Sequence, residues 1–128
     1  MKDIYLITAS FVGEIQRDFL GYLDMARRAG YTGLELFRGP YDRYTPEQLK
    51  QVLAEYGLTA ISAHVDIEDT DKMLEYLPGT GAKYIVCPGL HVSSREEAYE
   101  KAELLNQLGK NGQGRRPSLW IPQPQQRL

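Results

Sequence analysis

Four short runs rich in β-branched and aromatic residues recur along this chain, and a longer stretch with helical spacing follows each one. The runs are DIYLITA (3–9), TGLELF (32–37), TAISAHV (59–65) and KYIVCPG (83–89). After the first, residues 13–30 place Ile15, Phe19, Leu23 and Ala26 on one face of a helix. After the second, Thr45-Pro46-Glu47-Gln48 combines an N-cap, a proline at the first helical position and a capping-box partner. Leu49, Val52, Leu53 and Tyr56 then form the buried stripe, which Gly57 closes. A short helix over Asp71 to Leu77, stopped by Pro78-Gly79, follows the third run. After the fourth, Ser94-x-x-Glu97 opens a helix with Ala98, Ala102 and Leu105 inward, ending at Gly109.

Strands alternating with amphipathic helices predict an α/β fold with a parallel sheet and right-handed crossovers. Two architectures satisfy that rule, an open doubly wound sheet and a closed (β/α) barrel. The open sheet announces itself by a glycine-rich first turn, whereas the first run here leads into Ser10-Phe11-Val12-Gly13, with no dinucleotide or P-loop fingerprint anywhere. A barrel needs about 250 residues. With 128 residues and about four β-α units, the expectation is a partial TIM-type barrel, one domain over 1–110.

Composition narrows the classes of function. Apolar residues make up 42% and charged residues 25%, enough for a core, and the formal net charge is −2 with Lys and Arg scattered among the acids. No basic stripe could follow a phosphate backbone, so nucleic acid is not an expected partner. A single cysteine, Cys87, and the absence of Cys/His zinc spacing fit a reducing cytoplasm. The opening residues carry too short an apolar run for a signal peptide, and no stretch of about 18 apolar residues follows, so no membrane association is expected.

The ends of the runs, where both architectures keep their chemistry, read GYTGLELF (30–37), YGLTAISAHV (56–65) and GAKYIVCPG (81–89). In their order and spacing they resemble the sugar phosphate isomerase and epimerase group of xylose-isomerase-like barrels, over residues 1 to about 110. The resemblance implies the N-terminal half of such a barrel, a small sugar or sugar phosphate as substrate, and a divalent metal (Mn, Mg, Zn or Co) held by carboxylates and histidines from later strands. No cofactor is expected in this chain itself, which would then be catalytically incomplete. Two other classes share these features: a non-catalytic, self-associating half-barrel, and a barrel of the abasic-site endonuclease kind, which the balanced charge disfavours.

Glu35 stands between Leu34 and Leu36 in the second run. A carboxylate there is costly unless it is paired, by Arg38 for example, or faces a polar lumen where it contacts substrate hydroxyls. His64 ends the third run on the face of Ser62, and the resemblance makes it a sugar-binding residue. His91, beyond Pro88-Gly89, is a third candidate substrate contact, against the alternative of a solvated loop histidine. Tyr41, Arg43 and Tyr44 could line a sugar pocket or simply pack. Cys87 reads as a small core residue with nothing nearby to activate it.

Residues 111–128, NGQGRRPSLWIPQPQQRL, depart from all of this, with Gln, Pro and Arg and no acid. Read one base later, Trp120 followed by an isoleucine codon forces Gly, and the next codons permit Tyr-His-Asn-His, similar to the fifth strand of the group. A frameshifted terminus is the expectation; a native polar tail is the alternative. Leu119-Trp120-Ile121 falls where a fifth strand would start. Four parallel strands alone leave two edges and a bare lumen face, so a homodimer joined through them is expected.

Overall fold

The computed structural model describes residues 2–88, 90–112 and 118–120. Its strands are β1 (Tyr5–Ile7), β2 (Gly33–Phe37), β3 (Thr59–His64), β4 (Tyr84–Val86) and β5 (Ser118–Trp120). All pair in parallel in the order β1-β2-β3-β4-β5. An order without reversal is that of a barrel wall; a doubly wound sheet turns back at a switch point. The sheet is therefore a barrel segment of four β-α units with a short fifth strand. That strand lies in the tail, on the apolar run expected there; residues 113–117 and 121–128 lie outside the described residues.

The helices are α1 (Val12–Arg17), α2 (Phe19–Arg28), α3 (Pro46–Glu55), α4 (Thr70–Thr80) and α5 (Arg95–Gly112). They cover one face of the sheet, because alternate strand residues point one way. Leu34 and Leu36 of β2, Ala63 of β3 and Ile85 of β4 are completely enclosed, together with Ile15, Leu23, Leu49, Leu74 and Leu77 of the helices. Each large side chain so enclosed contributes about 1.5–3 kcal/mol. The opposite face carries Tyr5, Ile7, Glu35, Ser62 and Tyr84, and Tyr5 and Tyr84 remain exposed.

Local chemistry explains the element ends. Thr45 and Gln48 form both halves of the capping box at α3. The single helix expected over 13–30 is instead broken at Asp18, whose carboxylate accepts from the Gly21 amide at 2.9 Å and starts α2 afresh. A Cβ at position 21 would lie 2.1 Å from that carboxylate, so a larger residue there would push the Asp18 side chain out of its capping position. The face formed by Ile15, Phe19, Leu23 and Ala26 is nonetheless buried across the break.

Two expectations about helices need correction. Pro78 does not stop α4, which continues to Thr80. A proline near a helix C-terminus forfeits a single backbone bond, and one last turn packed through buried Leu77 and Thr80 tolerates that. In α5, Ala98 and Ala102 are exposed and Leu108 is the buried residue, with Leu105 partly covered. The alanines sit roughly 80° or more around the helix from Leu108, on a side that no described element covers. At the start of α5, Glu97 accepts from the amide and hydroxyl of Ser93 and pairs with Lys101 at 2.9 Å. Those bonds, the Ser93 hydroxyl's above all, hold its carboxyl down at about 2. No helix of the described residues is long and apolar enough to cross a membrane.

Candidate functional site

The pairing of β2 with β3 slips by one residue. Leu34 stands opposite Ala60, but Glu35 stands opposite Ser62, which leaves Ile61 as an extra residue in β3. Its carbonyl accepts from the Lys83 amide. Without that bulge Glu35 would face Ile61; with it, Ser62 and His64 fall into line with Glu35 and Phe37 on the lumen face. Bulges of this kind re-aim side chains near sites.

Glu35 and His64 are thereby brought together. The Ser62 hydroxyl donates to Glu35 Oε2 at 2.6 Å, and His64 Nε2 lies 3.8 Å from Glu35 Oε1, too far for a hydrogen bond but within ion-pair range when the imidazole is protonated. The His64 ring meets Phe37 edge-on, with centroids 6.0 Å apart. Both polar side chains keep part of their surface open, 23% for Glu35 and 20% for His64. Glu35 thus answers the burial problem that the sequence posed by keeping part of its carboxylate open on the lumen side and taking Ser62 as its donor. Arg38, its other candidate partner, pairs with Asp66 instead and lies over the Phe37 ring.

At the C-terminal ends of β2 and β3 a cleft of about 510 Å³ opens beside this pair. His64, Arg38, Asp66, Tyr41, Asp42 and Lys72 are among the residues that line it. Tyr41 packs edge-on against Tyr76, and its hydroxyl is enclosed without a hydrogen-bond partner among the described residues. Burial, reinforced by Tyr76 and by the nearby Glu35 charge, raises its proton affinity well above the ordinary phenol, so it stays a neutral donor. A second, shallower hollow of about 380 Å³ on the lumen face is lined by Glu35, Ser62, Tyr84 and Val86.

The remaining candidates lie apart. His91 is exposed before α5, its carbonyl accepts from Lys101, and it lines neither hollow. Arg43 donates to the Gln16 carbonyl at 2.7 Å, and Tyr44 packs on Phe19 while its carbonyl accepts from Tyr76. Of those three loop residues only Tyr41 lines the cleft. Cys87 is enclosed with Thr70 Oγ1 at 3.8 Å, and burial pushes its thiol up, which suits a core residue and not a nucleophile. Sequence reasoning missed Asp66, although its place two residues beyond His64 was a usable signal. A divalent ion needs three or more convergent donors, and no group of three His, Cys, Asp or Glu among the described residues could hold one. The metal implied by the resemblance therefore has no matching donor set in the described part of the chain.

No protein-family model matches this sequence, and no curated protein matches it. Solved structures do match in shape. A sugar phosphate isomerase/epimerase from Parabacteroides distasonis superimposes with a TM-score of 0.76 at 21% identity, over 94% of this chain and 50% of its own. An AP endonuclease, family 2, from Brucella melitensis gives 0.73 at 15% identity, over 94% of this chain and 55% of its own. The IolI protein with a bound zinc atom gives 0.69 at 12% identity, over 94% and 51%. The chain spans about half the length of these structures, and its fold is that of part of a xylose-isomerase-like TIM barrel.

Proposed function

We propose that this chain is the substrate-facing part of a barrel of the sugar isomerase and epimerase kind, and that Glu35 and His64 bind hydroxyl groups of a small sugar or sugar phosphate. The observation that carries this reading is the Glu35 carboxylate, steadied by Ser62 and set beside His64 at the open end of the strands. A carboxylate with one oxygen already satisfied still accepts from ligand hydroxyls, and a neutral imidazole both donates and accepts. The described residues supply no metal ligand set, so the reading rests on hydroxyl recognition by these two side chains.

The test is an amide-shift titration of the chain with a ketose at millimolar concentration. Residues 35–42 and 62–66 should shift, and His64→Ala should weaken binding roughly tenfold, the loss expected for one or two hydrogen bonds to a sugar. Unmoved amides in the parent protein would remove the sugar reading. The balanced charge supports the same choice over nucleic acid, and we place the protein in the cytoplasm, without membrane association.

The tail is a separate matter. The shifted reading of residues 120–125 supports a change of frame within 111–128, which would make this a catalytically incomplete member of its group. Sequencing the gene in the neighbouring frame should uncover further strand and helix patterns with Glu, Asp and His at strand ends; immediate stop codons there would dispose of the idea. A chain of this shape is also proposed to form a homodimer.

A further inference from the structure

We infer that the cleft at the ends of β2 and β3 selects a neutral polyol and disfavours a phosphorylated one. The inference rests on the sugar reading above and narrows it to one substrate class. Two cations line the cleft, Arg38 and Lys72, against three carboxylates, Asp42, Asp66 and Asp69. Arg38 is already committed to Asp66, and among the described residues neither Asp42 nor Asp69 has a cation within ion-pair distance. Glu35 adds a further negative charge alongside His64.

A phosphate entering here would find Lys72 as its one uncommitted cation among the described residues and meet several carboxylates at short range. The start of α4 offers no compensation, because Glu68, Asp69 and Asp71 surround it and oppose the positive end of the helix. The hydroxyls of a neutral sugar suit the same surface. They donate to Asp42 and Asp69 and accept from Lys72. Because Asp42, Asp69 and Lys72 are exposed, the discrimination is electrostatic, moderate and sensitive to salt.

Parallel amide-shift titrations with D-fructose, D-fructose 6-phosphate and inorganic phosphate test this. At low ionic strength the phosphate ester should bind roughly fivefold more weakly than the free sugar, and the gap should narrow in high salt. A chain carrying Asp42→Asn and Asp69→Asn should close most of the gap without salt. Equal or tighter binding of the ester, a gap indifferent to salt, or cleft shifts produced by inorganic phosphate alone would each overturn the inference while leaving the sugar reading intact. If no sugar moves the cleft amides, the sugar reading itself fails and takes this selectivity with it.

Discussion

A Gly33→Val chain is expected to lose about 3 kcal/mol of stability and about 10 °C of melting temperature. Gly33 is enclosed at the start of β2, where a Cβ would lie 2.6 Å from the Thr59 carbonyl oxygen and 2.8 Å from the Tyr5 ring. The tyrosine can swing away; the carbonyl belongs to the paired backbone of β3 and cannot move without disturbing the register that sets Ser62 opposite Glu35. Valine is otherwise a good strand residue, so the loss isolates the close approach of two strands. Gly109→Ala is the control, since nothing lies within 4 Å of a Cβ there. In a helix that change should add about 0.5–1 kcal/mol. A Gly33→Val chain that melts within about 2 °C of the parent would show that the strands are free to separate at this point.

The same glycine shows what could be read before the fold was known. Gly33 belongs to GYTGLELF, one of the runs that carried the resemblance, but the reason a glycine stands there, the Thr59 carbonyl, belongs to another strand and is invisible in one segment. Elements whose causes are local were legible: the Thr45 capping box, the alternation of strand and helix, and the buried stripe of α3. Asp18 is an intermediate case. Its capping of Gly21 is local, but the hydrophobic spacing of Ile15, Phe19 and Leu23 runs unbroken through it and hides the interruption.

Site geometry divides along the same line. Glu35 and His64 were found by type and position, yet their proximity depends on the Ile61 bulge, a property of how β2 and β3 align. The Arg38–Asp66 pair likewise joins residues 28 apart in sequence. The face of α5 was misjudged because its alanines look like core residues to a helical wheel, whereas burial depends on which neighbours are present. Exposed Ala98 and Ala102 and enclosed Leu108 mark a helix with a partner on one side only.

Purified at micromolar concentration, the chain is expected to sediment as a dimer held through the lumen face of its sheet. That face exposes Tyr5 at 43%, Ile7 at 36% and Tyr84 at 45%, apolar surface that a closed barrel would enclose and that water penalises at about 25 cal/mol per Å². Among the described residues β1 pairs on one side only, which leaves backbone groups open on its other edge. In the expected dimer a two-fold contact brings each sheet edge to its counterpart in the other copy. β5 already lies against β4, which makes the strand total of two copies ten rather than eight. Eight-strand closure is therefore not the expected drive to association; covering the lumen face is. Tyr84→Asp and Ile7→Asp should each raise the dimer dissociation constant roughly thirtyfold or more, the range for losing a central apolar anchor. Leu20→Asp, on the outer surface of α2 and 45% exposed, should leave it within about twofold. Sedimentation equilibrium decides between the two surfaces: a parent chain that stays monomeric, or a dimer broken by the Leu20 change and indifferent to Tyr84, would mean that the exposed lumen face is not what brings two copies together.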